Sequence, residues 1–332
     1  MSQKDLYKKF CDITYVPIYS KPWYMDAICL PENWDAWVYE KGGNLYGAMP
    51  YYLENRGEKK QYKYITKAPF TQTNGVLFVE DSTRQKIAQA ELEKKVIDAA
   101  CEYIDSLNLD VYEQQFTHTF CNWSPFYWKN FTVFVRYSYI IEDTSNLESV
   151  WAGFKADYRN QILKGQKLTT VSENISMDEF YEYYKKVFEK QGKECNLPYD
   201  MWMRLYNSCM ERKCGKLLCS KDELGNIHAI LFLVWDERYM YHLLGGYNPE
   251  FVKSQGYLSL TYYAISLAHK MGLAYDFEGS MIPQVAKSYR QFGGTPKAIY
   301  RVRKVYNPEI VRKEAEDYIK LLAMEKEVIK HE

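Results

Sequence analysis

Two acidic residues, Asp276 and Glu278, lie two apart in the short run Ala274-Tyr-Asp-Phe-Glu278. On a strand that spacing puts both carboxylates on one face. There, one of them can take a proton from an amine or hold it as a cation. Tyr289 follows as a possible acid for a leaving group, and Arg290 and Lys287 supply positive charge. Attack of an amine on an acyl ester or thioester needs alignment, a place for the proton and stabilisation of an oxyanion. The same residues also have plainer roles open to them: a strand-end carboxylate can cap the next helix or pair with Arg290 in a surface ion pair.

A second group of residues suits an anionic or nucleotide-linked donor. The apolar strand around Tyr241 ends at Gly245 and Gly246, where a ligand can approach the backbone. Lys253, Gln255 and Gly256 precede a helix whose first N–H groups lack intrahelical partners and favour anions. Ser280 sits in the Gly-Ser corner after Glu278. Arg159 and Lys164 lie on a basic helix and can hold phosphate, or they can simply face solvent. His242, mid-strand among leucines and tyrosines, reads as a hydrogen-bonded core histidine.

The elements that must position these groups come in a regular order. In the first half, helical segments at Asp5–Phe10 and Trp23–Leu30 precede a hairpin, Ala36–Lys41 with Leu45–Leu53, around a Gly-Gly-Asn turn. Strands are expected at Gln61–Thr66 and Val76–Val79, with Pro69–Gly75 as loop. A long helix over 82–107 and strands at Asp110–Phe116 and Phe131–Glu142 follow. In the second half, one helix is expected over Leu147–Lys167 and a strand over Leu168–Ser172. A helix opens at the Ser176-x-x-Glu179 capping box and reaches Gln191, and another spans Pro198–Lys213. A meander comes next (Lys216–Ser220, Ile227–Trp235, Tyr239–Gly245), then a helix over Tyr257–Met271 and a strand at Ala274–Glu278. A short helix ends at Phe292. The last elements are a strand at Ala298–Val305 and a helix over Pro308–Lys330. Both halves contain a hairpin with Gly-Asn in its turn, an internal echo that points to duplication.

Composition sets limits on function. The 332 residues are 47% apolar and 26% charged, as expected of a folded chain of two domains. Lys+Arg and Asp+Glu are each 43, so no net field gathers duplex DNA. No apolar run reaches the length of a membrane span. The polar N-terminus does not read as a secretory signal, and eight scattered cysteines fit reduced thiols in a cytoplasm. Cysteine and histidine spacings match no metal site. The 32 tyrosines suit half-wet pockets and polar anchors inside cores.

Three segments resemble the FemAB/FemX-like branch of the GNAT acyltransferases: Pro22-Trp-Tyr-Met-Asp-Ala27 with the hairpin ending Ala48-Met-Pro-Tyr51; Asp157-Tyr-Arg-Asn-Gln-Ile-Leu-Lys-Gly165; and Asp276-Phe-Glu-Gly-Ser280 with Ser288-Tyr-Arg-Gln-Phe-Gly-Gly294. The resemblance implies an α/β (α+β) fold of two tandem GNAT-like domains, each a mixed, mostly antiparallel sheet flanked by helices. It divides the chain into 1–143, 144–306 and a C-terminal helix, 307–332, packing back on the body. It also implies amide formation from acyl-CoA or aminoacyl-tRNA onto a small-molecule or peptide amine, with the tRNA acceptor stem as a possible partner. The chain departs from the family's pattern in two places. Lys253-Ser-Gln-Gly256 has a single glycine followed by Tyr257, which argues against ordinary acetyl-CoA binding. Ser288 and Tyr289 stand where relatives carry Phe-Lys, leaving Arg290 as the substitute, offset by one. Two alternatives stay open: a non-catalytic double-GNAT binding protein, and an acyltransferase of amino sugars or cell-envelope precursors such as those of peptidoglycan.

Overall fold

A computed structural model of the chain describes residues 2–190, 192 and 194–329, and the side chains of that range except 323–329. Among these residues the helices are α1 (Gln3–Ile13), α2 (Pro22–Cys29), α3 (Lys86–Ser106), α4 (Ser124–Trp128), α5 (Leu147–Gly153), α6 (Ala156–Leu168), α7 (Met177–Glu189), α8 (Tyr199–Glu211), α9 (Gly256–Met271), α10 (Pro283–Gln291) and α11 (Pro308–Ile329). The strands of the first half are β1 (Trp34–Lys41), β2 (Asn44–Arg56), β3 (Tyr62–Thr66), β4 (Leu77–Phe78), β5 (Val111–Gln115) and β6 (Thr132–Ile141). Those of the second half are β7 (Thr170–Ser172), β8 (Gly215–Lys221), β9 (Ile227–Trp235), β10 (Tyr239–Tyr247), β11 (Ala274–Asp276) and β12 (Thr295–Val305). The expected helix ends at Gln191 and Lys330 lie outside the described residues. No described helix is long and apolar enough to cross a membrane.

All twelve strands belong to one sheet, ordered β1-β2-β3-β5-β12-β6-β11-β10-β9-β8-β7 with β4 on β2. The pairs β3–β5 and β10–β11 are parallel, and the rest are antiparallel. The two halves interlock at the centre. The last strand, β12, runs between β5 and β6 of the first half, and β6 in turn pairs with β11 of the second. A division at residue 143 therefore runs through a shared sheet. One apolar cluster also joins the halves, since Tyr7, Phe10, Tyr24 and Trp34 share a core with Phe180, Trp202 and Phe232. Buried side chains of that size each stabilise the fold by about 1.5–3 kcal/mol.

Local chemistry explains the ends of several elements. Ser2 and Ser176 form capping boxes with Asp5 and Glu179 and start α1 and α7. The single helix expected over 147–167 is broken at Phe154 and Lys155, both in extended backbone, into α5 and α6. Phe154 is drawn into the core beside Phe292 and Tyr262, and burying its ring outweighs continuing the helix. The short helix α4 has no counterpart in the sequence reading. The strand expected over 274–278 stops at Asp276. The tail helix leaves the body early: Ile310 is buried, but Val311, Tyr318 and Leu322, the stripe expected to pack back, are exposed.

Candidate active site in the cleft between the halves

The first turn after β11 sets the geometry of the site. Asp276 is buried, and its Oδ1 accepts from the Ser138 hydroxyl of β6 and from the Glu278 N–H at 2.8 Å. That clamp turns the chain and leaves Glu278 at φ 60, a left-handed conformation rarely adopted by a glutamate. The next residue has to be glycine, because a Cβ on Gly279 would stand 2.3 Å from the Tyr137 carbonyl oxygen of β6. The two carboxylates thus do not share a strand face, contrary to the expectation from their spacing, because the strand ends at Asp276. Asp276 is a fixed support and Glu278 is the group it aims.

Glu278 opens on a cleft of about 130 Å³ lined by Lys67, Gln72, Gln115, Arg136 and Ser280 among others. Its carboxylate accepts from the Tyr19 hydroxyl. Burial pushes its pKa up to about 8, with the Asp276 charge adding and the Tyr19 bond and Lys67 opposing. Burial also raises Asp276, to about 6, against the bond from Ser138. The cleft walls lower the Lys67 amine, and Arg136 and Arg301 press the same way while Glu278 works against them. A carboxyl that gives up its proton near 8 is a stronger base than an ordinary carboxylate and is ionised to accept a proton as the pH rises through that value.

The first half holds its side of the cleft with the loop between β3 and β4. Thr71, Gln72, Thr73 and Asn74 are all buried. Lys67 donates through Nζ to the Thr71 carbonyl at 2.8 Å, and Gln115 donates through Nε2 to the Gln72 carbonyl at 2.9 Å. Asn74 donates through Nδ2 to the Tyr19 carbonyl at 2.8 Å, which fixes the segment that brings the Tyr19 hydroxyl to Glu278. Asp236 anchors the same segment, accepting from the Tyr15 hydroxyl at 3.0 Å and the Ile18 N–H at 3.1 Å. Sequence reasoning passed over Tyr19, Lys67, Gln72, Gln115, Arg136 and Ser138. One signal was present: residues 68–75, Ala-Pro-Phe-Thr-Gln-Thr-Asn-Gly, form a charge-free polar run too rich in amide and hydroxyl groups for an ordinary exposed loop.

The expected donor site is not assembled. Strands β10 and β11 pair only over Tyr239–Tyr241 and Ala274–Asp276 and then part, as the sequence reading requires. Aromatic side chains fill the opening. His242 is hydrogen-bonded at 2.8 Å to both the Tyr275 and Tyr257 hydroxyls, and Phe277 stacks on Tyr289 at 4.9 Å. Burial lowers the His242 pKa to about 3, so the ring is a neutral core group. A Cβ at Gly245 would meet His242 Nε2 at 2.8 Å, and one at Gly246 would meet Val187, so neither glycine faces open space. Gly256 is buried against Ser220 and His228, and its N–H donates to Ser254 Oγ at 3.2 Å. Gln255 supplies the left-handed residue before α9, and its carbonyl lies under Gly165 of α6. Lys253 is exposed. The start of α9 is therefore closed by its own loop.

The basic residues expected at the site do not line the Glu278 cleft. Arg290 and Lys287 are exposed on α10. Arg159 donates through Nη1 to the carbonyls of Ala152 and Phe154, at 3.0 and 2.6 Å, and so closes the C-terminal end of α5. Lys164 is exposed on α6. Tyr241 is buried and donates to Asp236 at 3.0 Å, and its ring packs 4.9 Å from Tyr19. Tyr289 is half-buried; burial first, then the charges of Glu278 and Asp276, push its hydroxyl well above the usual range. Of the residues singled out from sequence, the structure gathers Asp276, Glu278, Ser280 and Tyr289 around one place, with Tyr241 supporting Tyr19 behind them.

Residues 152–281 match the family model described as acetyltransferase (GNAT) domain. No curated protein matches the chain. Among solved structures, FemX superposes with a TM-score of 0.67 at 12% identity, covering 94% of this chain and 98% of that one. A tandem GNAT protein from the clavulanic acid biosynthesis pathway gives 0.54 at 10% identity, covering 92% and 94%. A C-terminal domain assigned to a lysylphosphatidylglycerol synthetase from Agrobacterium fabrum gives 0.52 at 9% identity, covering 96% and 98%. Likeness at such identity speaks for the fold and leaves substrates open. Residues 152–281 thus match a GNAT domain model, within a fold similar to that of FemX and of the tandem GNAT protein.

Proposed function

We propose that the chain is an N-acyltransferase or aminoacyltransferase that forms an amide in the cleft between its halves, with Glu278 as general base. The carrying observation is the left-handed Glu278, clamped by Asp276 and raised to about 8. In this reading the amine gives a proton to Glu278 and attacks the carbonyl carbon of an activated acyl group. The C–N bond forms, the bond from the acyl carbon to its thiol or hydroxyl carrier breaks, and the carrier leaves protonated. Tyr289, kept neutral by burial and stacked on Phe277 at the edge of the aromatic fill, is the candidate acid for that last step. Lys67 and Arg136 line the same cleft and make it electropositive. The GNAT domain match and the FemX-like fold support acyl transfer as the reaction class. The donor, acyl-CoA or aminoacyl-tRNA, reaches the cleft from outside, since the aromatic fill occupies the opening between β10 and β11.

That fill also favours a second reading, a double-GNAT module that binds without transferring. Mass spectrometry of mixtures containing an amine panel with acyl-CoAs or charged tRNA separates the two. Transfer that falls about a hundredfold or more in Glu278→Gln and persists in Arg290→Ala supports catalysis in the cleft. Equal rates for wild type and Glu278→Gln remove Glu278 from the reaction, and no product from any pair favours the binding module.

A further inference from the structure

Among the described residues, the cleft contains two cations without a carboxylate in ion-pair contact, and Glu278 reaches Lys67 only through its longer-range charge. Arg301 is paired with Glu113, and Arg303 bonds Glu113 at 3.3 Å as well as Glu314. Lys67 and Arg136 differ: among the described residues no carboxylate stands within 4.0 Å of either. Both line the cleft of about 130 Å³ that holds Glu278, and both line the adjoining cavity of about 70 Å³ along with Gln115 and the paired Glu113 and Arg301. Lys67 and Arg136 are exposed at the mouth of the cleft, and the space is enough for a headgroup of several heavy atoms. Arg136 and Arg301 push the Lys67 amine toward its neutral form, a repulsion that a bound anion would relieve. The floor offers a proton acceptor, Glu278, and the rim offers two cations and neutral amides.

We infer that the amine accepted in this cleft carries its own carboxylate, as an α-amino acid or the end group of a short peptide does, with that carboxylate held between Lys67 and Arg136 and its nitrogen facing Glu278; this rests on the transfer reading above. The assignment follows from charge and size together. A zwitterion places opposite charges a few bonds apart, matching a carboxylate and two cations that share one small space. A bare alkylamine would leave both cations without a contacting anion. Arg136 suits the role because its guanidinium can take both carboxylate oxygens.

Ligand-observed NMR on the intact chain tests this with alanine, acetate, methylammonium and inorganic phosphate as probes. Alanine and acetate are expected to bind wild type, and Arg136→Gln or Lys67→Met is expected to weaken both about tenfold or more. Methylammonium binding is expected to change little in those variants. Arg136 is exposed, so Arg136→Gln folds, and circular dichroism checks both variants. Failure of wild type to bind acetate or alanine overturns the inference. So does equal binding by folded Arg136→Gln and Lys67→Met, or binding of phosphate in clear preference to both carboxylates. Carboxylate binding without amide formation in any assay sinks the transfer reading and leaves the subsite standing.

Discussion

Replacing Glu278 by glutamine tests the electrostatics of the cleft without a substrate. In the unfolded chain this carboxyl releases its proton near 4.5, and in the folded chain near 8. Between those values the folded state binds more protons than the unfolded state, so stability falls as pH rises. The contribution is complete below about 4.5 and lost by about 8. At about 1.4 kcal/mol per pH unit the full loss is about 5 kcal/mol. Water reaching the half-buried carboxylate through the cleft moderates this, and about 2–3 kcal/mol is a fair expectation. Asp276 adds a loss of the same sign between 3.8 and about 6. Glutamine keeps an acceptor for the Tyr19 hydroxyl and carries no charge at any pH. The variant should match wild type near pH 5 and exceed its stability by about 2–3 kcal/mol at pH 9. Urea unfolding followed by tryptophan fluorescence from pH 5 to 9 measures the difference. A flat difference across that range refutes the raised Glu278. The activity has the opposite slope, because the base must be ionised to accept a proton, so turnover should rise through pH 8 as stability declines.

Other perturbations separate support from chemistry. Arg159→Ala removes the donor to the Ala152 and Phe154 carbonyls and should cost about 1–2 kcal/mol of stability, seen in the unfolding midpoint, with donor affinity unchanged. Gly165→Ala places a Cβ 2.6 Å from the Gln255 carbonyl and 2.8 Å from Ser259 Cβ, forcing α6 off α9. A loss of about 1–3 kcal/mol is expected, and an unchanged melting temperature would show that the helices separate freely. Asp236→Ala strips acceptors from the hydroxyls of Tyr15 and Tyr241 and from the Ile18, Arg238 and Tyr239 N–H groups. It should destabilise the chain by about 2–4 kcal/mol and speed amide hydrogen exchange in residues 15–20. Exchange no faster than wild type would show that the segment is held by packing alone.

Much of the architecture can be read from local pattern. Periodicity, Ser-x-x-Glu boxes and Gly-Asn turns are short-range signals, and α7, α9, the β1–β2 hairpin and the β8–β9–β10 meander all lie close to where those signals put them. The position of the catalytic candidate was visible as well, because Asp276, Glu278 and Gly279 are close in sequence and their turn is made by their own side chains and backbone. Its partners were not visible. Ser138, Lys67 and Tyr19 lie 138, 211 and 259 residues from Asp276 or Glu278, and meet them only through tertiary structure: β6 pairs with β11, β12 joins the halves, and Asn74 and Asp236 hold the segment of Tyr19. The placement of the basic residues was not legible for the same physical reason: a charge pattern does not specify what a side chain will meet. Arg159 bonds carbonyls left by a broken helix, and Arg290 is exposed. Sequence determined which segments become most of the strands and helices, while the left-handed turn at Glu278 emerged only in the structure, where a strand was expected. Tertiary structure decided that the opening between β10 and β11 fills with aromatic rings, and that the polar space lies on the seam between halves. Burial of those rings and the pairing of distant strands are collective terms with no local signature.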